Sequence, residues 1–550
     1  SEPIVHFGLG SYTKADSIVV VWPNRTKTVK KNVRANQTLR LKMSTASSET
    51  VHSDTTWKNR FFRDHTTAFG IDFKHEENTF NDYEHQILLP HKLSQFGPAL
   101  ATGDVNNDGL DDVYIGGASG FSAVLYVQSK NGAFSKSNEV LWQKEAVYED
   151  TDAVFADVNN DGYPDLYVVS GGNAHPKNAP HYTDRLYLND GKGNFSKGAI
   201  LNVNRSSGSK AVAADYDNDG DIDLFVAGRH VPHQYPLPAS SMLLENKNGQ
   251  LVNHTDTLAP ELQQLGMVTD AVWADYDTDG DADLIVVGEW MAVTVFKNEG
   301  GQLHKEPLDD LANTSGWWFS IEKGDFDHDG DVDFIAGNLG LNYKYKTSEA
   351  TPFDIYYNDF DGNGRYDIVL GYYNNDKHFP LRGFSCSAQQ IPGLKTQIQK
   401  YNLFATMEIE QVYGKGNLQN ALHYEAKTFA SSYIENLGRG RFKISPLPWQ
   451  VQRSNTNAIW VEDFNDDGNL DALMTGNLFV SEIETPRNDA GTGLLLLGDG
   501  KGGFLPLPGK ESGFFARGDA KKMAIISNKG YRKVLVANNN DILQAFIIRK

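Results

Sequence analysis

Short runs of alternating polar and apolar residues fill most of the chain, and turns rich in glycine and asparagine separate them. Segments such as "RLYLNDGKGNF" (185–195), "MLLENKNGQL" (242–251) and "LLLLGDGKGGF" (494–504) each predict two antiparallel strands joined by a tight turn. Apolar runs such as "DLFVAG" and "DLIVVG" precede several of these hairpins and predict more deeply buried strands. Two hairpins per repeat predict a four-stranded antiparallel unit.

Acidic turns stand in front of these apolar runs. In "ADYDTDGDADLIVVGEW" (274–290), five aspartates fall within nine positions. The turn recurs seven times, with Asp or Asn at loop positions 1, 3 and 5 and Asp at position 9. The residues at these positions are Asp104, Asn106, Asp108 and Asp112; Asp157, Asn159, Asp161 and Asp165; Asp215, Asp217, Asp219 and Asp223; Asp275, Asp277, Asp279 and Asp283; Asp325, Asp327, Asp329 and Asp333; Asp359, Asp361, Asn363 and Asp367; and Asp463, Asn465, Asp467 and Asp471.

This spacing is typical of a calcium loop. Ca²⁺ takes six to eight hard oxygen ligands at about 2.3–2.6 Å, and an oxygen side chain at every second position turns toward one centre. An EF-hand also needs a glutamate at position 12, but here that position is apolar in every copy, from Ile115 to Met474. Asp, Asn and Gly also favour ordinary turns, but seven copies with fixed spacing argue against that simpler explanation. We therefore predict up to seven Ca²⁺ ions, each between two strands.

The composition narrows the possible partners. The 550 residues include 71 acidic and 51 basic ones, for a formal net charge of −20. This charge disfavours a nucleic-acid partner. The loop positions hold 24 of the acidic residues, so seven Ca²⁺ would bring the charge to about −6. Cys386 is the single cysteine, which excludes an intrachain disulfide, and no apolar run approaches the length of a membrane span.

Five loops begin at residues 104, 157, 215, 275 and 325, a period of 50 to 60 residues. A four-stranded unit with this period predicts an all-β propeller of seven blades, with eight as the alternative. The sixth loop follows after only 34 residues, so we predict that it forms an outer hairpin or a truncated blade. Apolar residues at helical spacing predict a helical insertion at about 391–427. We expect the final strands, which lack an acidic loop, to close the ring.

At these motifs the chain resembles FG-GAP/VCBS repeats, the calcium-loop propeller blades also found in integrin α-subunits. Residues 3–42, with "HFGLG", "WP" and a late "ANQ", resemble the ASPIC/UnbV domain. The resemblance implies a small N-terminal β domain at 1–43, a linker at 44–56 and a propeller at 57–550.

Further phrases, such as "GRHVPHQYPLP" (228–238) and "GNLGLNYKY" (337–345), resemble those of large Bacteroidota surface proteins. That resemblance implies an exported, often lipid-anchored protein of the outer-membrane surface, often encoded near SusC/SusD-like uptake systems. It also implies that an upstream propeller precedes this segment, so we expect the chain to be the C-terminal part of a larger protein.

Two functions remain open at this point. The first is a non-enzymatic, calcium-stabilised propeller that binds a protein, glycan or peptide, as an accessory subunit of a SusC/SusD-like complex. The second is a secreted polysaccharide hydrolase or lyase that uses the propeller funnel, which requires a carboxylate pair outside the metal loops, in a cleft with an aromatic platform. His75, His230, His233 and His254 lack the spacing of a metal site and are predicted to be structural or surface residues.

Tryptophans are the other candidates for binding, because aromatic side chains stack on sugars and anchor interfaces. Trp273 and Trp460 stand close to acidic loops, which favours a place in the core between blades. Trp317 and Trp318 are adjacent in sequence, so one of them should face away from the buried side of a strand. This pair is therefore predicted to lie at the surface.

Overall fold

The computed structural model describes residues 7–21, 26–42, 47–50, 60–528 and 530–549. The chain divides into two compact units, Ser1–Arg60 and Phe61–Lys550. The first unit contains an antiparallel sheet of Lys14–Val21, Thr26–Arg34 and Ser47–Thr50. The last of these strands falls inside the predicted linker 44–56, so residues 47–50 are part of the sheet. Residues 44–46 and 51–56 lie outside the described residues.

The second unit is built from repeated four-stranded sheets, which we call blades 1 to 7. Blade 1 contains Leu100–Gly103, Asp112–Ile115, Val124–Gln128 and Phe134–Ser137; blade 2, Asp150–Ala156, Asp165–Ser170, Arg185–Asn189 and Phe195–Lys197; blade 3, Ser207–Ala214, Asp223–His230, Met242–Asn246 and Leu251–Asn253; and blade 4, Met267–Ala274, Asp283–Met291, Thr294–Asn298 and Leu303–Glu306. Ile200–Leu201 and Gly316–Trp317 add short edge pairings to blades 3 and 4.

The remaining blades have the same strand order, but a long insertion interrupts blade 5, and blade 7 takes its outer strand from the start of the second unit. Blade 5 contains Ser320–Gly324, Asp333–Gly337, Ser432–Asn436 and Phe442–Pro446; blade 6, Ala458–Glu462, Asp471–Thr475, Leu494–Gly498 and Phe504–Pro508; and blade 7, Ala520–Asn528, Tyr531–Asn538, Gln544–Ile548 and Phe62–Asp64. The first strands contact one another in the order of the blades, and that of blade 7 contacts that of blade 1. The chain is therefore an all-β propeller whose ring closes by pairing Phe62–Asp64 with Gln544–Ile548.

Apolar residues on both faces of each sheet explain why the blades stack. Central strands such as Asp165–Ser170 and Asp283–Met291 are buried along their whole length. One apolar cluster fills each interface between neighbouring blades: for example, Phe225 and Leu243 of blade 3 pack with Leu284 of blade 4. A single blade would leave both of these faces in water, so the ring is the smallest unit that buries them all.

The long insertion separates the second and third strands of blade 5. It forms a further sheet of Phe353–Asn358, Asp367–Asn374, Lys377–Pro380 and Leu422–Ala426. Between the last two of these strands lie the helices Phe384–Gln390, Leu394–Gln397, Tyr401–Phe404, Ile409–Tyr413 and Lys415–Gln419.

The structure corrects two predictions about this region. The helices begin before 391 and end at Gln419, and Leu422–Ala426 is a strand because its partner Phe353–Asn358 supplies its backbone hydrogen bonds. The Asp359 loop joins Phe353–Asn358 to Asp367–Asn374, inside the inserted sheet. It is thus neither an outer hairpin nor a truncated blade of the ring.

A cover segment, residues 65–99, runs between the closing strand and blade 1. Its Leu88, Leu89 and Leu93 join a large apolar cluster with Trp317 of the ring and Phe353 of the inserted sheet. Short helices Glu139–Lys144, Thr255–Leu258 and Gly509–Ser512 complete the connections. Among the described residues, every helix is too short or too polar to cross a bilayer.

Candidate metal loops

Each acidic loop joins the first strand of a sheet to the second. In blade 4, the first strand ends at Ala274 and the second begins at Asp283, so the loop fills positions 275–282. The same placement recurs in blades 1, 2, 3, 5 and 6 and in the inserted sheet. The nine-residue pattern therefore always follows the end of the first strand of a sheet, where the backbone leaves the sheet.

The seven loops share one backbone conformation. Position 6 is glycine in every loop, with φ between 81° and 97°, from Gly109 to Gly280. A side chain at such angles is strained, which explains the invariant glycine. Position 4 is also left-handed, with φ between 57° and 71°, and holds Asn107, Asn160, Asn218, Thr278, His328, Gly362 or Asp466. Seven different sequences thus have the same left-handed conformation at positions 4 and 6, which indicates that these two positions determine the shape of the loop.

Hydrogen bonds hold the first aspartate of each loop in place. In six loops the N–H of the glycine at position 6 donates to this carboxylate over 2.7 to 3.1 Å, as Gly280 does to Asp275. In the seventh, His328 N donates to Asp325 Oδ1 over 2.7 Å. These bonds fix the orientation of the first carboxylate within each loop.

The aspartate at position 9 is buried in every loop. In blade 4, Asp283 Oδ1 accepts from Asn298 N at 2.8 Å, and its Oδ2 accepts from Tyr276 N at 3.2 Å. Burial raises the pKa of Asp112, Asp223, Asp283 and Asp367 to about 7, and that of Asp165, Asp333 and Asp471 to about 6. Burial thus disfavours the charged form of these carboxylates, and a bound cation would compensate for it.

The loop at Asp215 contains two carboxylate oxygens that lack a partner among the described residues. Asp215 Oδ1 and Asp223 Oδ2 are buried and have no hydrogen-bond partner. One carboxylate oxygen each of Asp215, Asp217 and Asp223 lies within 4.8 Å of the others. Three further loops bring acidic groups together in this way: Asp275, Asp277 and Asp279; Asp325, Asp327 and Asp333; and Asp359, Asp361 and Asp367. An all-oxygen donor set of this charge fits Ca²⁺ or Mg²⁺ rather than a softer metal.

The sequence patterns did not identify three charged side chains that lie near these loops. Lys297, on the third strand of blade 4, bonds Asp277, and its Nζ lies 3.1 Å from Asp279 Oδ2. The same place, the last but one residue of the third strand, holds Glu245 in blade 3 and Glu435 in blade 5. Blades 3 and 5 thus add a fifth acidic group near the loop, whereas blade 4 adds a competing ammonium. Only strand pairing reveals this difference.

The predicted histidines and tryptophans take mainly structural places. His75 and His230 are buried, and burial lowers their pKa to about 4 and about 3. His233 stacks on His85 with ring centroids 3.9 Å apart, and His254 bonds Glu245. Trp273 is buried, as predicted, and Trp460 is half-buried.

The surface prediction for Trp317 and Trp318 is wrong, because both are fully buried. Adjacent side chains do point to opposite sides of the chain, but both sides are covered. Trp317 faces Phe353 and Phe429, whereas Trp318 packs in the interface between blades 4 and 5.

One carboxylate pair does converge outside the metal loops. Glu77 Oε1 accepts from Asn539 Nδ2 at 2.5 Å, and Glu149 Oε2 accepts from Ser119 N at 2.8 Å. Glu77 Oε2 and Glu149 Oε1 have no hydrogen-bond partner, and burial raises the pKa of both acids. A surface depression of about 430 Å³ lies beside them, lined by Asn78, Phe80, Ser119, His175 and His181 among others. Neither carboxyl group lines it.

Comparison with known families agrees with the repeats. Residues 104–168, 169–226 and 275–336 match the model of the FG-GAP-like repeat. These segments are FG-GAP-like repeats. Residues 1–48 match the model named ASPIC and UnbV. Both resemblances predicted from the sequence are confirmed, whereas an origin in Bacteroidota stays a prediction.

A comparison with curated proteins gave no match. Among solved structures, the V. cholerae biofilm matrix protein Bap1 is similar with a TM-score of 0.39 and 10% identity, over 90% of this chain and 92% of that one. YCF48 from Cyanidioschyzon merolae is similar with a TM-score of 0.38 and 8% identity, over 84% and 98%. Saccharomyces cerevisiae Sqt1 has a TM-score of 0.36 and 9% identity, over 84% and 99%. Similarity this low says nothing about function.

Proposed function

We propose that this chain is a non-enzymatic, calcium-stabilised propeller that binds a protein or small ligand at the cell surface. The two partnerless oxygens in the Asp215 loop carry the calcium part of the proposal. A buried carboxylate oxygen without a donor is costly, and a divalent cation at the centre of three such groups satisfies it. Like charges a few Å apart also repel by about 1 kcal/mol per pair even in water.

The residues that would hold the ions are those at positions 1, 3, 5 and 9 of the seven loops. Calcium supplies positive charge and joins the first and second strands of a sheet. The chain contributes the rest: glycine shapes the turn, and backbone N–H groups orient the carboxylates.

Calcium dependence of unfolding tests this proposal. Binding to the folded state adds about 2.7 kcal/mol per site at a hundredfold excess over Kd. We expect calcium to raise the melting temperature by many degrees, and the double variant Asp215→Asn, Asp217→Asn to bind one ion fewer by atomic emission. Asp190→Asn, an exposed aspartate in a blade 2 turn, is the control and should bind as wild type does. An unchanged melting temperature after verified metal removal would contradict the proposal.

We also propose that the chain acts at the outer-membrane surface, as an accessory subunit of a SusC/SusD-like transporter together with its own N-terminal half. The resemblance to Bacteroidota surface proteins supports this, and so does the acidic net charge, which disfavours nucleic acid. Mild purification from native membranes, followed by mass spectrometry, should recover those partners. Recovery as a free cytoplasmic monomer would refute the assignment.

The alternative, a polysaccharide hydrolase or lyase, has one observation in its favour: the Glu77–Glu149 pair beside a depression that contains Phe80. The burial of both carboxyl groups counts against it, because a substrate must reach a catalytic acid. Release of oligosaccharides from a polysaccharide panel, abolished in Glu149→Gln, would establish the enzyme. No release by wild type would leave the binding function.

A further inference from the structure

The asparagine that ends the third strand of blades 2 to 5 forms hydrogen bonds with two metal loops at once. These residues are Asn189, Asn246, Asn298 and Asn436. Each backbone N–H donates to the position-9 aspartate of its own blade, at 2.7 or 2.8 Å. Each side-chain Nδ2 donates to the carbonyl of loop position 2 in the preceding blade, at 2.6 to 2.8 Å. One residue therefore touches two candidate ion sites.

Repetition turns these contacts into a path around the ring. Asn436 N donates to Asp333 Oδ1 in blade 5, and Asn436 Nδ2 donates to Tyr276 O in blade 4. Tyr276 N in turn donates to Asp283 Oδ2, the position-9 aspartate of blade 4. The same bonds link each blade to the next from blade 1 to blade 5. One bond is absent in blade 3, where Asp223 Oδ2 has no partner, whereas in the other blades this oxygen accepts from the N–H of loop position 2.

The path begins at blade 1 and stops at blade 5, although blade 6 also carries an acidic loop. Blade 7 has no acidic loop, and in blade 1 the equivalent residue is Gln128, whose Nε2 donates to Asp111 O within its own blade. In blade 6 the equivalent is Gly498, which has no side chain to reach blade 5. The asparagine occurs only where the preceding blade carries a loop to hold, which a purely local turn residue would not do.

We propose that these four asparagines are positioning residues that couple cation binding between neighbouring blades. The inference rests on the proposed calcium binding. A cation that orders one loop fixes its position-2 carbonyl and hence the asparagine bonded to it. The next loop then binds its ion with its position-9 aspartate already held, so less ordering entropy is lost. Binding is cooperative along blades 1 to 5, while the Asp359 loop, in the inserted sheet, binds independently.

The pair formed by the Asp275 and Asp325 loops is the best place for a test. The order of residues 275–283 is followed by hydrogen-exchange mass spectrometry as calcium is added. Asp325→Asn with Asp327→Asn disables the neighbouring loop. We expect this to raise the calcium midpoint of the Asp275 loop about fivefold or more, and to have no such effect in an Asn436→Ala background. Asp359→Asn with Asp361→Asn should leave the midpoint unchanged.

Matched variants keep the outcome clear. Gln128→Ala removes the equivalent side chain without a link between blades, and should leave the coupling of the Asp275 and Asp325 loops intact. If Asn436→Ala folds poorly, Asn436→Gly replaces it with the residue that blade 6 has at this place. If disabling the Asp325 loop shifts the calcium midpoint of the Asp275 loop equally with and without the Asn436 side chain, the role of Asn436 is overturned. If it shifts this midpoint in neither background, the coupling itself is overturned. Absence of calcium-dependent protection in every loop overturns the calcium proposal as well.

Discussion

Two aspartates of one loop serve different purposes. Asp277 is partly exposed and touches Lys297, whereas Asp283 is buried and accepts from the backbone on both sides. The first has a small structural role, because its Oδ1 accepts from Asp279 N, and its main purpose is to hold an ion. The second is needed for the fold with or without one, which explains why position 9 is aspartate in all seven loops while position 3 varies between Asp and Asn.

Alanine at each position should separate these roles. We expect Asp283→Ala to destabilise the protein by about 3 kcal/mol in chelator, because two buried N–H groups lose their acceptor, and by more in calcium, because position 9 would also hold the ion. Asp277→Ala should cost about 1 kcal/mol in chelator, where the partly buried ion pair with Lys297 and the hydrogen bond from Asp279 N are lost while repulsion between carboxylates is relieved, and about 2.7 kcal/mol more at a hundredfold excess of calcium over Kd. Denaturant unfolding under both conditions measures this. Equal costs for Asp277→Ala in both would contradict the assignment.

The buried pair Glu77 and Glu149 should make stability depend on pH. Burial raises the pKa of both acids, so the folded state holds protons that the unfolded state releases above about pH 4.5. The contribution of this pair to stability is therefore greatest at low pH and declines as pH rises through the folded pKa values.

We expect Glu77→Gln to flatten that decline between pH 5 and 8. The measurement is the free energy of unfolding in saturating calcium, as a difference from wild type at each pH. Glu76→Gln is the control, because Glu76 is the exposed neighbour and pairs with Lys74. A difference between Glu77→Gln and wild type that does not change with pH would show that the pair stays ionised.

At the scale of elements, the insertion combines two parts with different roles. Its sheet packs an apolar face, with Phe353 and Ile355, against the ring. Its helices bury Leu394, Ile409 and Val412 against the opposite side, around Val369. Tyr401 and Leu403 remain exposed on the helices. The helices therefore cover the sheet without touching the closure of the ring.

Replacement of residues 384–419 by a short Gly/Ser segment should leave the ring folded. The replaced segment follows Lys377–Pro380 and precedes Leu422–Ala426, the two edge strands of the inserted sheet, and these strands are about 14 Å apart by strand spacing. We expect a soluble protein that keeps its calcium-dependent melting but captures less partner from membrane extracts. An insoluble product would show that the helices belong to the core.

For the whole molecule, closure is the decisive event. Phe62–Asp64 supplies the outer strand of blade 7, whose other strands lie near the end of the chain. Phe62 is fully buried and contacts Phe464 and Phe514, with ring centroids 5.3 and 5.5 Å away. The same strand thus completes a sheet and fills the interface between blades 6 and 7.

We expect Phe62→Ala to cost 3–5 kcal/mol, the usual range for a buried phenylalanine. Because this strand holds the two ends of the ring together, blades 6 and 7 should exchange hydrogen first. Calorimetry and hydrogen exchange measure the two effects. Phe515→Ala is the control, since that ring is 45% exposed, and it should change stability little. Uniform exchange across all blades in Phe62→Ala would contradict the role in closure.

The sequence by itself determined the repeats, the loop positions and the all-β fold. Each of these features depends on nine to sixty consecutive residues. The oxygen side chains at every second position and the glycine at position 6 act on their neighbours along the chain. Helical spacing also located the insertion, although its limits moved from 391–427 to 384–419 once strand pairing was known.

Tertiary structure alone decided the rest. The burial of Trp317 depends on the inserted sheet, and the Glu77–Glu149 pair depends on the cover segment. The Asn436–Tyr276 bond joins residues 160 positions apart. Each of these contacts exists only after segments distant in sequence have packed together, because a strand pattern states which face is apolar but not what will be packed against it.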